Sequence, residues 1–179
     1  KYIDKHDRTN RPIFSDAAAA TVVGRSNVDG ISAFDLGTNG SGYKNLIIPN
    51  EHDNIAGAKP GFLFMAGAAV FLFTMGMVPK CVNNVLAKSG KKIDDIDLFI
   101  FHQASKIVID KITDNLSLPI EKVYTNYQQI GNTVSASIPI ALKDAFKDGK
   151  LHAGDCSMLV GFGVGFSWGG CIVETGDLS

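Results

Sequence analysis

A short apolar run followed at once by an amphipathic segment is the strongest constraint on how this 179-residue chain folds. Residues 97–101 (DLFIF) have the length and composition of a buried strand, and the segment after them places Val108, Ile112 and Leu116 at intervals of four residues. That spacing puts the three side chains on one face of a helix. Because alternating strands and helices form a sheet covered on both faces, the sequence predicts an α/β fold.

The remainder of the second half continues this alternation. In chain order, the patterns predict a helix over residues 65–88, a short strand at 123–124, a loop at 128–132, a helix over 135–147 and a hairpin formed by 157–161 and 166–173. Ser89 and Gly90 are a stop signal for the first of these helices. Ser137 is the predicted cap of the second helix, and Gly149 follows its end.

The first half of the chain is less regular. The apolar stretch over residues 12–24 fits either a strand or a helix, and we favour a strand. A tight turn at residues 27–30 would join it to an antiparallel strand at 31–34. Loops are predicted at residues 39–42 and 49–60, and the second of these is the expected connection between two structural halves.

Charge and composition exclude several classes of partner. The formal net charge is -1 and the basic residues are scattered, so the chain lacks the positive face that nucleic-acid binding requires. Residues 61–78 carry no charge, but glycines interrupt them and prolines flank them, so we predict a buried helix and no membrane span. The chain starts at Lys1 without a signal-peptide pattern. We therefore expect a cytoplasmic protein whose sequence continues upstream.

The three cysteines are predicted to be reduced and buried. Cys81, Cys156 and Cys171 have no metal-ligand spacing, so no metal site is expected. They also lack the helix-start context that stabilises a thiolate, and no serine stands in a nucleophile elbow. Judged from its residues, the chain contains no recognisable nucleophile.

Two segments are candidates for a functional site. His102 directly follows the predicted strand at 97–101 and precedes a helix, which places its imidazole at the carboxyl end of a strand, where open α/β sheets bind ligands. Asn132 lies in a stretch of small residues (GNTVSAS) just before the helix at 135–147. For both residues the alternative is a structural role, as a satisfied buried histidine and as part of an ordinary helix entry.

The glycine-rich turn at residues 161–165 (GFGVG) is a third candidate. Its backbone N–H groups, at Gly163, Val164 and Gly165, could face a developing oxyanion, because glycine permits conformations that other residues resist. It does not match a nucleotide fingerprint, since no helix follows it. A tight hairpin turn is the alternative interpretation.

Three motifs, taken together, resemble those of one enzyme family. These are HQAS at residues 102–105, GNTVSASIP at 131–139 and GFGVGFSWG at 161–169. In order and spacing they resemble beta-ketoacyl-[acyl carrier protein] synthase III, which keeps its catalytic histidine and asparagine about thirty residues apart. Further similarity covers nearly the whole chain, at residues 7–8, 14–16, 39–42 and 94–97.

The resemblance implies the C-terminal half of a thiolase-like fold, a mixed sheet with covering helices in αβαβα-type layers. Residues 1–50 would hold the last strands of the first half and the connection, and residues 51–179 the second half. In this family the nucleophilic cysteine lies in the first half at a helix start. We therefore expect this chain alone to be inactive.

The implied activity is decarboxylative condensation of an acyl-CoA primer with malonyl-[acyl carrier protein], which initiates fatty acid synthesis. By resemblance, His102 and Asn132 are catalytic and residues 163–165 supply backbone donors. Substrate-binding positions would be Gly67 and Phe71, on the helix lining the pantetheine tunnel, and Ser105 and Lys106. The family often has asparagine at position 105 and arginine at position 107, which is isoleucine here, so Lys106 is the nearest cation.

The resemblance also implies partners. No cofactor is expected beyond the two thioester substrates, acyl-CoA and malonyl-[acyl carrier protein], and the full-length protein would be a homodimer. Two alternatives stay open. One is a specialised acyl-CoA-dependent ketosynthase or acyltransferase of secondary metabolism, and the other is a non-catalytic scaffold subunit.

Overall fold

The structure is a computed structural model and describes residues 1–25, 27 and 30–176. The described strands are Ile31–Thr38 (β1), Leu46–Ile47 (β2), Phe64–Met65 (β3), Leu98–Phe101 (β4), Cys156–Gly163 (β5) and Ser167–Glu174 (β6). The described α-helices are Gly67–Ser89 (α1), Lys106–Leu116 (α2), Tyr127–Ile130 (α3) and Ser137–Lys147 (α4). Short 3-10 helices cover Gly40–Asn45, Ile93–Asp95, Ile120–Lys122 and Val134–Ala136.

Four strands form a mixed sheet in the order β1-β6-β5-β4. Strands β4 and β5 are parallel, with Leu98 opposite Ser157 and Phe101 opposite Val160. Strands β5 and β6 form the predicted antiparallel hairpin, and β1 adds to β6 in antiparallel orientation. β2 and β3 form a separate two-stranded ribbon.

Helices cover the sheet on two faces. Helices α1 and α2 bury one face, through a core that includes Val82, Phe99 and Ile112. Helix α4 covers part of the opposite face, where Leu98 and Ala141 belong to a second core. The predicted α/β class with covering helices on a mixed sheet is therefore confirmed.

Helix α1 accounts for the long uncharged segment. It ends where predicted, at Gly90, whose φ of 69° is the left-handed conformation that glycine adopts most readily. By length and hydropathy α1 could cross a membrane, and a third of its most apolar window is buried inside the chain. It packs against β1, β5, β6 and α2, and its buried residues lie mainly in its C-terminal half. The predicted burial of residues 61–78 was wrong for most of the segment, since only Thr74 and Val78 are buried there.

A buried carboxylate joins α1 to the edge strand β1. Asp35 accepts hydrogen bonds from Lys88 Nζ at 2.9 Å and from Asn84 Nδ2 at 3.2 Å. Burial opposes ionisation of Asp35, but the hydrogen bonds from Lys88 and Asn84, together with the charge of Lys88 and a contribution from Cys81, lower the pKa of the carboxyl overall. These bonds anchor the edge strand β1 to helix α1.

Two strand predictions were wrong. Residues 12–24 form no strand: Phe14 makes a single parallel bridge to Asn132, and the alanine run after it has no described pairing partner. Strand β1 pairs instead with β6. The predicted turn at residues 27–30 includes positions 28 and 29, which lie outside the described residues. The predicted strand at 123–124 is reduced to one bridge between Phe99 and Val123, because the chain leaves the sheet edge at once.

The predicted loops agree with the structure only in part, since a 3-10 helix over Gly40–Asn45 takes most of the loop predicted at residues 39–42. Residues 49–60 contain no described helix or strand. One helical turn, α3, occupies most of the predicted loop at 128–132. Ser137 is the first residue of α4 and the N-cap position belongs to Ala136, so the predicted cap was wrong.

The face of β1 opposite Asp35 presents apolar side chains to solvent. Phe34 is 52% exposed and Leu36 is 74% exposed. Alternate residues of a strand point to opposite faces, so this pair lies on the side that α1 does not cover.

We expect the chain on its own to self-associate through this face, because neighbouring exposed apolar side chains favour contacts that remove them from water. Sedimentation velocity over a tenfold concentration series should show association, and the double change Phe34→Ser with Leu36→Ser should reduce it. Leu72→Ser, at an exposed apolar position on α1, is the matched control. A wild-type chain that stays monomeric throughout would contradict the prediction.

Candidate active site

A cavity of about 600 Å³ opens at the carboxyl end of β4. It is lined by seven of the residues predicted from sequence: Gly67, Phe71, His102, Ser105, Asn132, Gly163 and Val164. Further wall residues include Ile13, Phe14, Thr74, Val108, Ile138 and Trp168. His102 and Asn132, thirty residues apart in sequence, therefore meet at one mostly apolar cavity.

His102 takes its position from the end of β4. Its backbone N–H donates to the Val160 carbonyl at 2.9 Å, which extends the pairing of β4 with β5 by one residue. Its ring packs edge-on against Phe162, with 5.3 Å between ring centroids. Ring atom Nδ1 lies 2.7 Å from the Ser137 hydroxyl.

The imidazole of His102 is neutral at pH 7. Burial lowers its pKa from 6.5 to about 4, and contact with the Val134 backbone works weakly in the opposite direction. A neutral imidazole carries one N–H and can donate a hydrogen bond without bringing a full charge into the cavity.

Asn132 is held by two other segments of the chain. Its backbone N–H donates to the Ile13 carbonyl and its own carbonyl accepts from Ser15 N–H, both at 2.9 Å. Its side-chain Oδ1 accepts the Val134 N–H at 2.9 Å. Since an N–H requires an oxygen acceptor, this bond fixes the orientation of the amide and leaves Nδ2 as the group available to donate.

The residue before Asn132 has to be glycine. Gly131 has a φ of 67°, in the left-handed region, and a Cβ built on it would lie 3.0 Å from Ser15 Cβ. Any other residue would be strained and would push the segment around Ser15 away from Asn132. Gly131 thus allows the chain to approach residues 13–15 closely enough for Asn132 to form its two backbone hydrogen bonds with them.

A buried glutamine links the histidine to the asparagine loop. Gln103 is fully buried. Its Nε2 donates to the Phe101 carbonyl at 2.8 Å, and its Oε1 accepts from the Asn126 N–H at 3.0 Å. The end of β4 and the segment leading to Asn132 are therefore joined by side-chain hydrogen bonds in a site without competing water.

The glycine-rich turn is only partly at the cavity. Gly163 and Val164 line it, whereas Gly165 is not among its lining residues and packs against Tyr43. The next residue, Phe166, is bonded through both backbone groups to Asn39. The proposed backbone-donor role of residues 163–165 stays a prediction.

The ring of Phe166 fixes this turn against α1. It stacks on Phe73 with 4.1 Å between centroids. Gly42 leaves the room that this ring needs, because a Cβ there would lie 2.3 Å from a Phe166 ring atom.

The residues predicted to bind substrate are divided between two places. Gly67 and Phe71 line the cavity from α1, and Ser105 lines it just before α2. Lys106 is not a lining residue: its Nζ pairs with Asp110 at 2.6 Å in a shallow cleft outside. Ile107, which does line the cavity, is 69% exposed.

The three cysteines are free thiols with raised pKa values. Burial raises the pKa of Cys81 to about 12, with a further contribution from Asp35. Burial also raises the pKa of Cys156 and of Cys171. Because the thiolate is the nucleophilic form, none of the three is suited to nucleophilic catalysis.

The sequence did not reveal every residue of the site. Ser137 was interpreted as a helix cap, yet its hydroxyl lies on His102. Phe14 and Phe162 also line the cavity and were not predicted to do so. Their apolar character gave no signal, since it is equally typical of ordinary core residues.

This fold and site define a thiolase-fold α/β protein with two neutral donor groups at one cavity. The family model described as 3-Oxoacyl-[acyl-carrier-protein (ACP)] synthase III C terminal matches residues 86–175, and the model for 3-Oxoacyl-[acyl-carrier-protein (ACP)] synthase III matches residues 1–40. The chain belongs to the 3-oxoacyl-[acyl-carrier-protein] synthase III family. The predicted family is confirmed.

Individual relatives agree with this assignment. The chain is 37% identical to "Beta-ketoacyl-[acyl-carrier-protein] synthase III 1" of Halalkalibacterium halodurans, over 98% of this chain and 54% of that protein. It is similar to the crystal structure of 3-oxoacyl-[acyl-carrier-protein] synthase III from Aquifex aeolicus, with a TM-score of 0.86 and 33% identity over 97% of this chain and 54% of that one.

A third similarity is to a priming beta-ketosynthase of the R1128 polyketide biosynthetic pathway, with a TM-score of 0.88 and 31% identity over 99% of this chain and 54% of that one. The chain spans about half the length of the curated relatives it matches.

We predict that the stability of the protein falls between pH 6.5 and pH 4. The unfolded chain protonates His102 near pH 6.5 and the folded chain near pH 4, so the unfolded state binds more protons in this window. The contribution of His102 is complete above pH 6.5 and is lost as the pH falls towards 4, a change of about 2 kcal/mol after allowance for the open cavity.

Urea unfolding at several pH values measures this effect. His102→Gln should flatten the pH dependence, whereas His52→Gln, at an exposed position, should retain the wild-type slope. Equal slopes for wild type and His102→Gln would disprove the assignment of this titration to His102.

Gly42→Ala should destabilise the protein by about 1–3 kcal/mol, because the new methyl group overlaps the Phe166 ring. Gly40→Ala is the matched control in the same 3-10 helix, since a Cβ there meets nothing within 4 Å. Its free energy of unfolding should stay within about 0.5 kcal/mol of the wild type. Thermal or urea unfolding compares the two, and equal values would refute the packing argument.

Proposed function

We propose that this chain supplies the enolate-stabilising half of a 3-oxoacyl-[acyl-carrier-protein] synthase III, which condenses an acyl-CoA primer with malonyl-[acyl carrier protein] and initiates fatty acid synthesis. The observation that carries the proposal is the placement of His102 and Asn132 at one cavity. The first is a neutral imidazole, and the second is an amide whose oxygen is already occupied.

The proposed step is decarboxylation of the malonyl thioester. The carbon–carbon bond to the carboxylate breaks and carbon dioxide leaves. The electron pair of the broken bond stays with the thioester, which becomes an enolate. Negative charge then develops on the thioester oxygen. Hydrogen bonds from a His102 ring N–H and from Asn132 Nδ2 would stabilise that charge more strongly than the neutral ground state.

The apolar wall of the cavity supports this role. Because the described wall is mostly apolar, a hydrogen bond to a developing charge there has fewer competing polar groups than in bulk solvent. Both donors are also fixed in advance, His102 by the end of β4 and Asn132 by residues 13–15, so little reorganisation accompanies the reaction. The site stabilises an oxyanion and contains no cation for that purpose among its described lining residues.

The acylation step, which comes before this decarboxylation, needs a nucleophile that the three cysteines do not provide, because their pKa values are raised. We propose that a cysteine outside this sequence attacks the acyl-CoA thioester, releases the CoA thiol and holds the acyl group for attack by the enolate. The relatives are about twice as long as this chain, which leaves room for such a segment.

Acyl-CoA and acyl carrier protein are the proposed partners, in a cytoplasmic homodimer without a cofactor. The names of the relatives include the acyl carrier protein. A pantetheine arm carrying either thioester is long, narrow and largely uncharged. The wall that Gly67 and Phe71 form on α1 suits such a group.

A priming ketosynthase of secondary metabolism is the second candidate. It would use the same two donors and differ in the primer it accepts. The similarity to the R1128 priming beta-ketosynthase supports it. Comparing turnover of short, branched and aromatic acyl-CoA primers would separate the two candidates.

Release of carbon dioxide from malonyl-[acyl carrier protein] by the full-length protein tests the proposal. His102→Ala and Asn132→Ala should each reduce the rate by about 100- to 1000-fold, the loss typical of removing one oxyanion donor. The matched controls are His52→Ala and Asn83→Ala, which change exposed residues of the same two types. Their rates should equal that of the wild type.

Two outcomes would contradict the proposal. If both active-site variants release carbon dioxide at the wild-type rate, these residues are not the enolate donors. If the wild-type full-length protein shows no decarboxylation and no condensation, the scaffold alternative is favoured instead.

A further inference from the structure

The hydroxyl of Ser137 points to His102 and does not cap α4. It is fully buried, and its hydroxyl lies 2.7 Å from Nδ1 of His102. It is the first residue of α4, yet in the described part of the chain its hydroxyl bonds to His102 and Gln103 and not to that helix. The hydroxyl thus reaches across 35 sequence positions to the imidazole.

The second partner of this hydroxyl indicates the direction of the bond. The Gln103 N–H donates to Ser137 Oγ at 3.4 Å. These two are the partners of Ser137 Oγ within the described part of the chain. If Nδ1–H also donated to Oγ, the hydroxyl hydrogen would lack an acceptor in a fully buried site, at a cost of about 1–3 kcal/mol.

We infer that Ser137 is a positioning residue that donates its hydroxyl hydrogen to Nδ1 of His102 and so fixes the imidazole as the Nε2–H tautomer. A neutral imidazole has a single N–H, so accepting at Nδ1 places the hydrogen on Nε2. The ring then keeps a donor for a ligand in the cavity. The assignment of the tautomer depends only on the two hydrogen bonds of Ser137 Oγ. The use of this tautomer in catalysis rests on the proposed function.

Buried hydrogen bonds of Gln103 fix the end of β4 near this serine. Gln103 holds the end of β4 to the loop at Asn126, which keeps His102 and Gln103 N–H at a fixed distance from the start of α4. A serine at that helix start has the shortest side chain that both accepts from Gln103 N–H and donates to Nδ1. Alanine would leave Nδ1 without this partner.

Nitrogen NMR of the protein labelled with ¹⁵N in its histidine rings tests the tautomer directly at pH 7. We expect His102 in the wild type to show the Nε2–H pattern, in which Nε2 carries the hydrogen and Nδ1 does not. Ser137→Ala should give an Nδ1–H or averaged pattern, and Ser137→Thr, which keeps a hydroxyl, should restore Nε2–H. Ser135→Ala removes a hydroxyl two residues away and should leave the tautomer unchanged.

The wild-type spectrum alone can overturn the inference, because an Nδ1–H ring would contradict it whatever the variants do. An unchanged Nε2–H pattern in folded Ser137→Ala would also overturn it, since some other group would then set the tautomer. Thermal unfolding of each variant establishes that it is folded.

Malonyl-[acyl carrier protein] decarboxylation separates this inference from the proposed function. Ser137→Ala should lower kcat by about 10- to 100-fold with little change in KM, and Ser137→Thr should recover most of the loss. A changed tautomer with an unchanged kcat would support the positioning role and refute the donor role of His102. A lower kcat with an unchanged tautomer would refute the positioning role.

Discussion

The complete burial of β4 is the constraint on which the rest of this structure depends. Its four side chains alternate between two cores, with Phe99 and Phe101 beneath α1 and α2, and Leu98 and Ile100 beneath α4. A shift of one residue would exchange these two sets, so the register of β4 is strongly fixed. The first polar residue after the strand, His102, must then emerge at the carboxyl edge of the sheet.

A second segment has to meet that histidine, and backbone hydrogen bonds bring it there. Asn132 is bonded to residues 13–15 through its backbone and to Val134 through its side chain. Gln103 adds a buried link from the end of β4 to the same loop. Gln103 and Asn126 are both buried, so breaking the bond between them would leave a buried polar group unsatisfied. The two donors are consequently fixed before any ligand arrives.

The cavity has no charged side chain among its described lining residues at pH 7. His102 is the one ionisable side chain among its described lining residues, and burial lowers its pKa and keeps the imidazole neutral. A cavity of this type favours a ligand that is neutral when it binds and gains negative charge at one oxygen as it reacts. That property agrees with the family to which the chain belongs.

The sequence by itself determined most of the alternation of strands and helices from residue 65 onward, the stop at Gly90 and the closing hairpin, and it indicated His102 and Asn132 as candidate site residues. These follow from local periodicity, from glycine conformation and from motifs whose residues are close in sequence. The tertiary structure alone decided that residues 12–24 form no strand, that β1 pairs with β6, that Lys106 turns away from the cavity and that Ser137 serves the histidine instead of its own helix. Each of these depends on groups far apart in the chain, and the energy of a strand pair or a buried hydrogen bond is set by the partner that folding brings, which local sequence does not specify.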